Sequence, residues 1–140
     1  MLRLTYHGST TIPVEAECIT PDNLAEKSPS EIEKLLVQHG NAQAPLAEFF
    51  RVEGDPSDGH IVLEGDTSRV KLLGTGMTRG SLTIHGNAGM HVGAEMKGGT
   101  IHVHGNASDW VGAEMKGGFI HIHGNAGHLV GAGYRGSHVG

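Results

Sequence analysis

The sequence predicts a mainly β fold: a parallel β-helix in the C-terminal part, preceded by a small α+β segment. Two observations support this prediction. A 19-residue Gly/Asn unit repeats from Gly74 onward, and each unit contains a short run in which apolar and polar residues alternate. Alternation with a period of two is the pattern of a β-strand. Units this short cannot bury their own apolar side, so they have to stack on one another.

Three complete units define the repeat. They read GTGMTRGSLTIHGNAGMHV over 74–92, GAEMKGGTIHVHGNASDWV over 93–111 and GAEMKGGFIHIHGNAGHLV over 112–130, and a further unit begins at Gly131. The segment 60–66 resembles a degenerate earlier unit. In the central unit Ile101 and Val103 alternate with His102 and His104, so the isoleucine and the valine are expected to face inwards. No unit contains the ten or so residues of helical pattern that a helical repeat requires.

Stacked units place equivalent residues above one another, with about 4.8 Å between coils. The asparagines are expected to form a ladder in which each amide bonds to the neighbouring coils. The methionines are expected to form a flexible inner stack, and the glycines to occupy corners because glycine accepts positive φ. The predicted structural ladder comprises Asn87, Asn106, Asn125, Met77, Met96, Met115, Gly86, Gly105 and Gly124.

The region before the repeats carries both strand and helix signals. A strand over 2–6 is expected to form a hairpin with a second strand over 12–16. Helices are expected to begin at Thr20 and at Ser28, where Ser-Pro-Ser-Glu forms a capping box, and the second helix is expected to run through Leu36 to a stop at Gly40. A turn cluster over 54–59 separates an expected α+β cap region, residues 1–54, from the β-helix repeats, residues 55–140.

Composition excludes several classes of protein. The chain has 140 residues and a net charge of −5, and it contains no basic run, so we expect no nucleic-acid partner. No apolar run approaches the length of a membrane span, and the N-terminus does not resemble a signal peptide. Cys18 is the single cysteine, which rules out an internal disulfide or a Cys-ligated cluster held by this chain alone. We expect a cytoplasmic protein without a membrane partner.

The histidines of the repeats are the candidate metal ligands. His85, His104 and His123 are expected to stack on one outward face, with His102 and His121 as a shorter row beside them. Imidazoles are good ligands for transition metals, so the stack could bind metal. A polar ladder facing solvent or a partner is the preferred interpretation, because no acidic residue is expected in these rows. No metal site is therefore assigned.

Other conspicuous residues also have structural interpretations. Glu95 and Glu114 are expected to be neutralised by a neighbouring row comprising Lys97, Lys116 and Arg135. Trp110 interrupts the repeat and is either a partner contact or a filler at a looser corner. Cys18 is interpreted as a structural thiol. The sequence contains no P-loop, HExxH or GxSxG motif, and we expect no catalytic or cofactor-binding residue in this chain.

The repeat GxxMKGGxIxVxGNAGxxVGA, preceded by the Ser-Arg-Val-Lys of 68–71 and followed by the Gly-Tyr-Arg-Gly of 133–136, resembles the C subunit of formylmethanofuran dehydrogenase. The segments 12–15, 20–23 and 49–54 resemble the same family. The C subunit of the bacterial formyltransferase/hydrolase complex is closely similar, and the GXGXG domain of the glutamate synthase large subunit is a more distant relative.

The resemblance implies a right-handed β-helix and a structural subunit in one-carbon metabolism. Such a subunit holds together others that carry a tungsten or molybdenum pterin, iron–sulfur clusters and a hydrolase centre. In the bacterial complex the pterin reaction is absent, and a formyl group is transferred with methanofuran before formate is released. The sequence does not choose between the dehydrogenase and the formyltransferase/hydrolase complex, and the family assigns no catalytic residue to this subunit.

Three further expectations follow. The chain ends in mid-unit, whereas members of this family continue through further repeats, so we expect a fragment, a truncated chain or a short relative. Its open end is expected to be covered by a second copy of the chain or by a missing C-terminal half. A stand-alone module binding metal through its histidines is an alternative function. An enzyme acting on polysaccharides is disfavoured, because the clustered acids of most glycosidases are missing.

Overall fold

The computed structural model describes residues 1–8, 12–126 and 138–139 of the chain. Within these ranges the protein is mainly β, as predicted; its two α-helices have only four and five residues, and two 3-10 helices span Leu46–Glu48 and Pro56–Asp58. The strands are β1 (Leu2–Tyr6), β2 (Val14–Glu15), β3 (Leu36–His39), β4 (Ala42–Pro45), β5 (Phe50–Gly54), β6 (His60–Glu64), β7 (Val70–Lys71), β8 (Ser81–Ile84), β9 (Thr100–Val103), β10 (Phe119–Ile122) and β11 (His138–Val139). The helices are α1 (Pro21–Leu24) and α2 (Pro29–Glu33).

The repeats form parallel strands in register. Strand β9 pairs with β8 on one side and with β10 on the other, and β11 continues the series beyond β10. Ser81, Thr100, Phe119 and His138 are therefore neighbours across four strands, at intervals of one repeat. The degenerate unit joins the same sheet, because β6 pairs in parallel with β8 and places His60 beside Ser81. Each repeat thus contributes one strand to this sheet.

Both sheets are mixed rather than purely parallel. The larger one has the order β11-β10-β9-β8-β6-β1-β5, and β1 pairs in parallel with β6 but antiparallel with β5. The smaller sheet has the order β4-β3-β2-β7. There β3 pairs antiparallel with both neighbours, whereas β2 and β7 are parallel.

The expected hairpin between the first two strands is wrong, although β1 itself spans the residues predicted for it. Strand β2 contacts β3 and β7, and β1 contacts β5 and β6. Three residues of the connection expected between them, 9–11, lie outside the described residues. The alternation of Leu2 and Leu4 identifies a strand with one buried face, but it contains no information about which partner covers its edges.

Both predicted helix starts are confirmed, but the second helix ends earlier than expected. The Thr20 hydroxyl caps α1, and Ser28 and Glu31 form the predicted capping box at the start of α2. Helix α2 ends at Glu33, and Leu36 instead begins strand β3, with 57% of its surface exposed. Pairing with β2 and β4 outweighs the short helical pattern, and Gly40, with φ of 63°, makes the turn between β3 and β4.

The core consists of columns of equivalent residues. Leu82, Ile101 and Ile120 are fully buried, as are the three methionines of the repeats, Met77, Met96 and Met115. Leu2 and Leu4 belong to the same hydrophobic cluster. Burying one such side chain contributes roughly 1.5–3 kcal/mol, so these columns supply much of the stabilisation.

The boundary predicted at residue 54, between a cap region and the β-helix repeats, stays a prediction.

Close backbone approach, not positive φ, explains the glycines at the strand ends. Gly86, Gly105 and Gly124 do not have positive φ, contrary to expectation. A Cβ on Gly105 would lie 2.6 Å from the carbonyl oxygen of Gly86, and a Cβ on Gly124 would lie 2.5 Å from that of Gly105. The Gly105 N–H donates to the Gly86 carbonyl at 3.0 Å, so successive coils meet too closely here for any side chain.

The asparagines link each coil to the next. The backbone N–H of Asn106 donates to Oδ1 of Asn87 at 2.9 Å, and that of Asn125 donates to Oδ1 of Asn106 at 2.8 Å. The side-chain oxygen of each asparagine thus satisfies a backbone donor that lies beyond the end of the strand.

We expect Asn106→Ala to lower the free energy of unfolding by about 1 kcal/mol, because the N–H of Asn125 loses its acceptor. Asn106→Asp retains an acceptor oxygen and should lose less. Chemical denaturation of the three proteins measures the difference, with Asn23→Ala, at an exposed position in α1, as the control. Equal stability of Asn106→Ala and the parent chain would contradict a stabilising ladder.

A second prediction concerns acid stability. The Asp22 carboxylate accepts hydrogen bonds from the N–H of Thr78, at 3.1 Å, and from its hydroxyl, which ties α1 to the first repeat. Burial raises the pKa of this carboxyl, but the hydrogen bonds from Thr78 lower it more, so its pKa lies below the ordinary value. A depressed pKa stabilises the fold above the unfolded-state value of about 3.9, and this contribution is lost as the pH falls through the folded pKa.

We therefore expect the stability of Asp22→Asn to fall less steeply than that of the parent chain as the pH is lowered below about 4. Denaturation midpoints measured over that pH series test this, and Glu26→Gln, at an exposed acidic position of the same segment, serves as the control. An acid profile of Asp22→Asn that matches the parent would show that the contact contributes nothing.

Candidate functional site

Outward-facing histidines form a patch on the large sheet. His85 and His104 have ring centroids 5.0 Å apart, and His104 stacks face to face on His123 at 4.7 Å. His102 and His121 form the neighbouring row, with centroids 5.8 Å apart. The two rows meet where His121 stacks on His123 at 4.4 Å. The column and the shorter row that were predicted from the sequence therefore form one continuous patch.

The expectation that no acidic residue lies in these rows is wrong. Oε1 of Glu64 lies 2.6 Å from Nδ1 of His85, so the carboxylate ends the column. The spacing from the degenerate unit, residues 60–66, to the first full repeat differs from the others. His60 pairs with Ser81, which is 21 residues later, whereas the repeats are 19 residues apart. Glu64, the last residue of β6, thereby comes beside His85.

Three histidines of the patch could share one metal ion. Nitrogen atoms of His102, His121 and His123 all lie within 4.8 Å of one another. His102 and His121 are half-buried, and His123 is exposed. This group differs from the candidate column of His85, His104 and His123, with which it shares only His123. The sequence analysis arranged the histidines by their position in the repeat, and so it did not identify this group. The signal in the sequence was the His-x-His spacing of residues 121 and 123.

A second surface feature is a set of strained backbone positions. Five non-glycine residues within the described ranges have φ between 57° and 66°. They form two columns: one contains Leu72, His91 and Trp110, and the other contains Glu95 and Glu114. Left-handed backbone costs a residue with a Cβ roughly 1–2 kcal/mol. Gly76, with φ of 68°, occupies the second column in the preceding coil, where no such cost arises.

These strained residues surround one shallow cleft. All five line a cavity of about 410 Å³, together with Glu17, Thr75, Ala94 and Ala113. The rings of His91 and Trp110 stack with centroids 5.8 Å apart and planes 13° from parallel. The cleft thus combines a flat aromatic surface with three carboxylates. Glu95 and Glu114 are exposed, whereas Leu72, His91 and Trp110 are half-buried. Backbone strain of this kind often occurs at functional sites, which makes the cleft a candidate functional surface.

The charged rows lie beside this cleft. Glu95, Lys97, Glu114 and Lys116 line a smaller cavity of about 220 Å³ together with Gly76. Carboxylates and ammonium groups are therefore neighbours, as the neutralisation hypothesis requires, and that hypothesis stays a prediction. Arg135, the third expected cation, lies outside the described residues.

Cys18 is poorly suited to nucleophilic chemistry. Burial of its side chain is the main cause that raises the pKa of the Cys18 thiol. A raised pKa reduces the fraction of thiolate, which is the reactive form.

The described part of the chain defines a class of protein: a mainly β protein whose repeats contribute parallel strands in register to one sheet. Its distinctive features are a histidine patch and a strained, acidic, aromatic cleft, both open to solvent. No helix among the described residues has the length and apolar character needed to cross a membrane.

Comparisons with known proteins identify relatives of this class. Over 95 residues the chain is 43% identical to the C subunit of the tungsten-containing formylmethanofuran dehydrogenase 2 of Methanothermobacter wolfeii, a match that covers 65% of this chain and 35% of the relative. It is 48% identical over 85 residues to the C subunit of the molybdenum-containing formylmethanofuran dehydrogenase 1 of Methanosarcina barkeri, covering 58% of this chain and 28% of the relative. No family model matches the chain.

A solved structure resembles the fold along almost the whole chain. It is the formyltransferase/hydrolase complex from Methylorubrum extorquens with methylofuran, one chain of which superimposes with a TM-score of 0.70 and 27% identity. That match covers 97% of this chain and 63% of the other. The chain is thus similar to C subunits of formylmethanofuran dehydrogenases, and the matched segment spans about a third of the length of these curated relatives.

We expect Glu95→Gly to stabilise the protein by about 1 kcal/mol, because glycine adopts the left-handed backbone without a Cβ clash. Gly76→Ala should cost a similar amount, since its Cβ would enter open space and only the backbone would be strained. Thermal or chemical denaturation measures both. If both variants matched the parent chain, the backbone of this column would be unstrained.

Proposed function

We propose that this chain is the non-catalytic, structural C subunit of a formylmethanofuran dehydrogenase-type complex in one-carbon metabolism. The identity of 43–48% to the C subunits of tungsten- and molybdenum-containing enzymes carries the proposal. The subunit would bind other subunits in the cytoplasm and position the chains that perform the chemistry.

The architecture suits this role. We propose that the repeats wind as a right-handed parallel β-helix, which is supported by the parallel register of β8, β9 and β10 and by the right-handedness of nearly all crossovers between parallel strands. Each added coil extends the same outer faces, so the protein would offer long, rigid surfaces to its neighbours.

In this role the chain itself would bind no cofactor of the dehydrogenase reaction. The relatives are named for tungsten and molybdenum, and we propose that such a metal, its pterin and any iron–sulfur clusters are bound by partner chains. The presence of a single cysteine, Cys18, supports this division of roles, because an iron–sulfur cluster needs several thiolate ligands.

The same role in a formyltransferase/hydrolase complex is the alternative function. It is supported by the solved complex from Methylorubrum extorquens, whose matching chain resembles almost the whole of this one. In that case the complex would transfer a formyl group and release formate by hydrolysis.

The strained cleft is the surface that we propose for contact with a partner subunit. Trp110 presents a half-buried ring stacked on His91, and tryptophan is enriched among residues that dominate binding energies at interfaces. Glu17, Glu95 and Glu114 surround it, so a partner surface with arginine or lysine side chains would be complementary.

Purification of the tagged full-length protein from its native cells tests the proposal. We expect other subunits to co-purify, with tungsten or molybdenum if the complex is a dehydrogenase. Formyltransferase and hydrolase chains without either metal would establish the alternative. A chain that purifies alone would contradict both.

The contact surface has its own test. We expect Trp110→Ala to weaken assembly by at least tenfold in the dissociation constant, because an aromatic anchor at an interface typically contributes about 2 kcal/mol or more. Phe119→Ala is the matched control, since Phe119 is an exposed aromatic residue outside the cleft. Equal assembly of both variants with the parent would place the interface elsewhere.

A further inference from the structure

We propose that His102, His121 and His123 form a binding site for one divalent transition-metal ion, zinc being the reference case. The site lies on the outer face of the large sheet, outside the strained cleft. It does not depend on the role as a structural subunit, since it rests on three side chains of this chain alone.

The backbone holds these residues in a fixed triangle. His102 and His121 are directly opposite each other on the parallel strands β9 and β10. His123 comes directly after the end of β10, and its ring stacks on that of His121, so both rings lie on the same side of the sheet. The backbone N–H of His123 donates to the carbonyl of Val103 at 2.8 Å, which fixes the register at this end.

Small rotations of the side chains would bring the three nitrogens into coordination distance. They lie within 4.8 Å of one another, whereas tetrahedral zinc with bonds of about 2.0–2.1 Å needs nitrogens about 3.3 Å apart. His121 and His123 stack at 4.4 Å with planes only 9° from parallel, so at least one ring must rotate to direct its lone pair at the ion. Because His123 is exposed, its ring can turn towards solvent without displacing the core.

The remaining histidines of the patch are less suitable. Nδ1 of His85 is engaged with Glu64 at 2.6 Å. His104 stacks on His123 with planes 5° from parallel, and it lies outside the group whose nitrogens approach one another. In the column, His85 meets His104 edge to face and His104 stacks on His123, whereas the proposed ligands His102, His121 and His123 belong to both rows.

The ligand chemistry selects the class of ion. Three imidazole nitrogens suit zinc, copper or nickel, whereas magnesium and calcium require oxygen ligands. Three protein ligands leave the fourth position of a tetrahedral ion open to water or to a group from another molecule. Binding should weaken in acid, because protons compete with the ion for the imidazole nitrogens.

Isothermal titration of the full chain, freed of any histidine tag, with zinc chloride tests the site. We expect one zinc ion per chain with a dissociation constant in the micromolar range or tighter, and no binding of magnesium chloride. His102→Ala and His121→Ala should each weaken zinc binding at least tenfold. His104→Ala, within the same patch but outside the triangle, should change it less than threefold.

Circular dichroism of each variant checks that the fold is retained, which we expect because all these positions lie on the outer face. Imidazole nitrogen NMR signals should shift on zinc addition for His102, His121 and His123 but not for His85. Binding weaker than millimolar would overturn the site. Equal losses in His104→Ala and His102→Ala would overturn the triangle.

Discussion

Hydrogen bonds between the backbones of successive coils hold every other feature of this protein in place. The same bond recurs from coil to coil: Ser81 donates to the carbonyl of Gly59, Thr100 to that of Gly80, and Phe119 to that of Gly99, at 2.9 to 3.0 Å. A slip of one residue in this register would turn the buried leucines and isoleucines outwards. The register therefore determines which residues form the core and which face solvent.

Because of this register, the same residue type recurs at equivalent positions of successive repeats and forms a column. Glycine recurs at 86, 105 and 124 because the carbonyl of the preceding coil leaves no room for a Cβ. Asparagine recurs beside it because its side-chain oxygen accepts from the backbone of the next coil. Elsewhere the column tolerates strain: Glu95 and Glu114 keep the left-handed backbone that Gly76 adopts without cost. The glycine and asparagine positions are therefore dictated by contacts between repeats, whereas the positions of Glu95 and Glu114 are open to selection for function.

The two outer surfaces differ in chemistry. The cleft beside Trp110 is aromatic and acidic, which suits a large protein partner. The histidine patch consists of imidazole rings held a few ångströms apart, which suits a small metal cation. Both lie at the surface: His123 of the patch is exposed, as are Glu95 and Glu114 of the cleft. Stacked coils favour this kind of surface because their interior is filled by side chains.

The sequence by itself determined the features that depend on local spacing. These include the strands of the repeats, their inward residues, the columns of asparagine and histidine, and the helix caps at Thr20 and Ser28. Only the tertiary structure decided which strands meet: β1 joins β5 and β6, and the residues after Glu33 form a strand instead of a helix. It also brought Glu64 to His85 and His102 to His121 and His123. Pairing between distant segments and the orientation of side chains depend on long-range contacts, which periodicity within one segment does not encode.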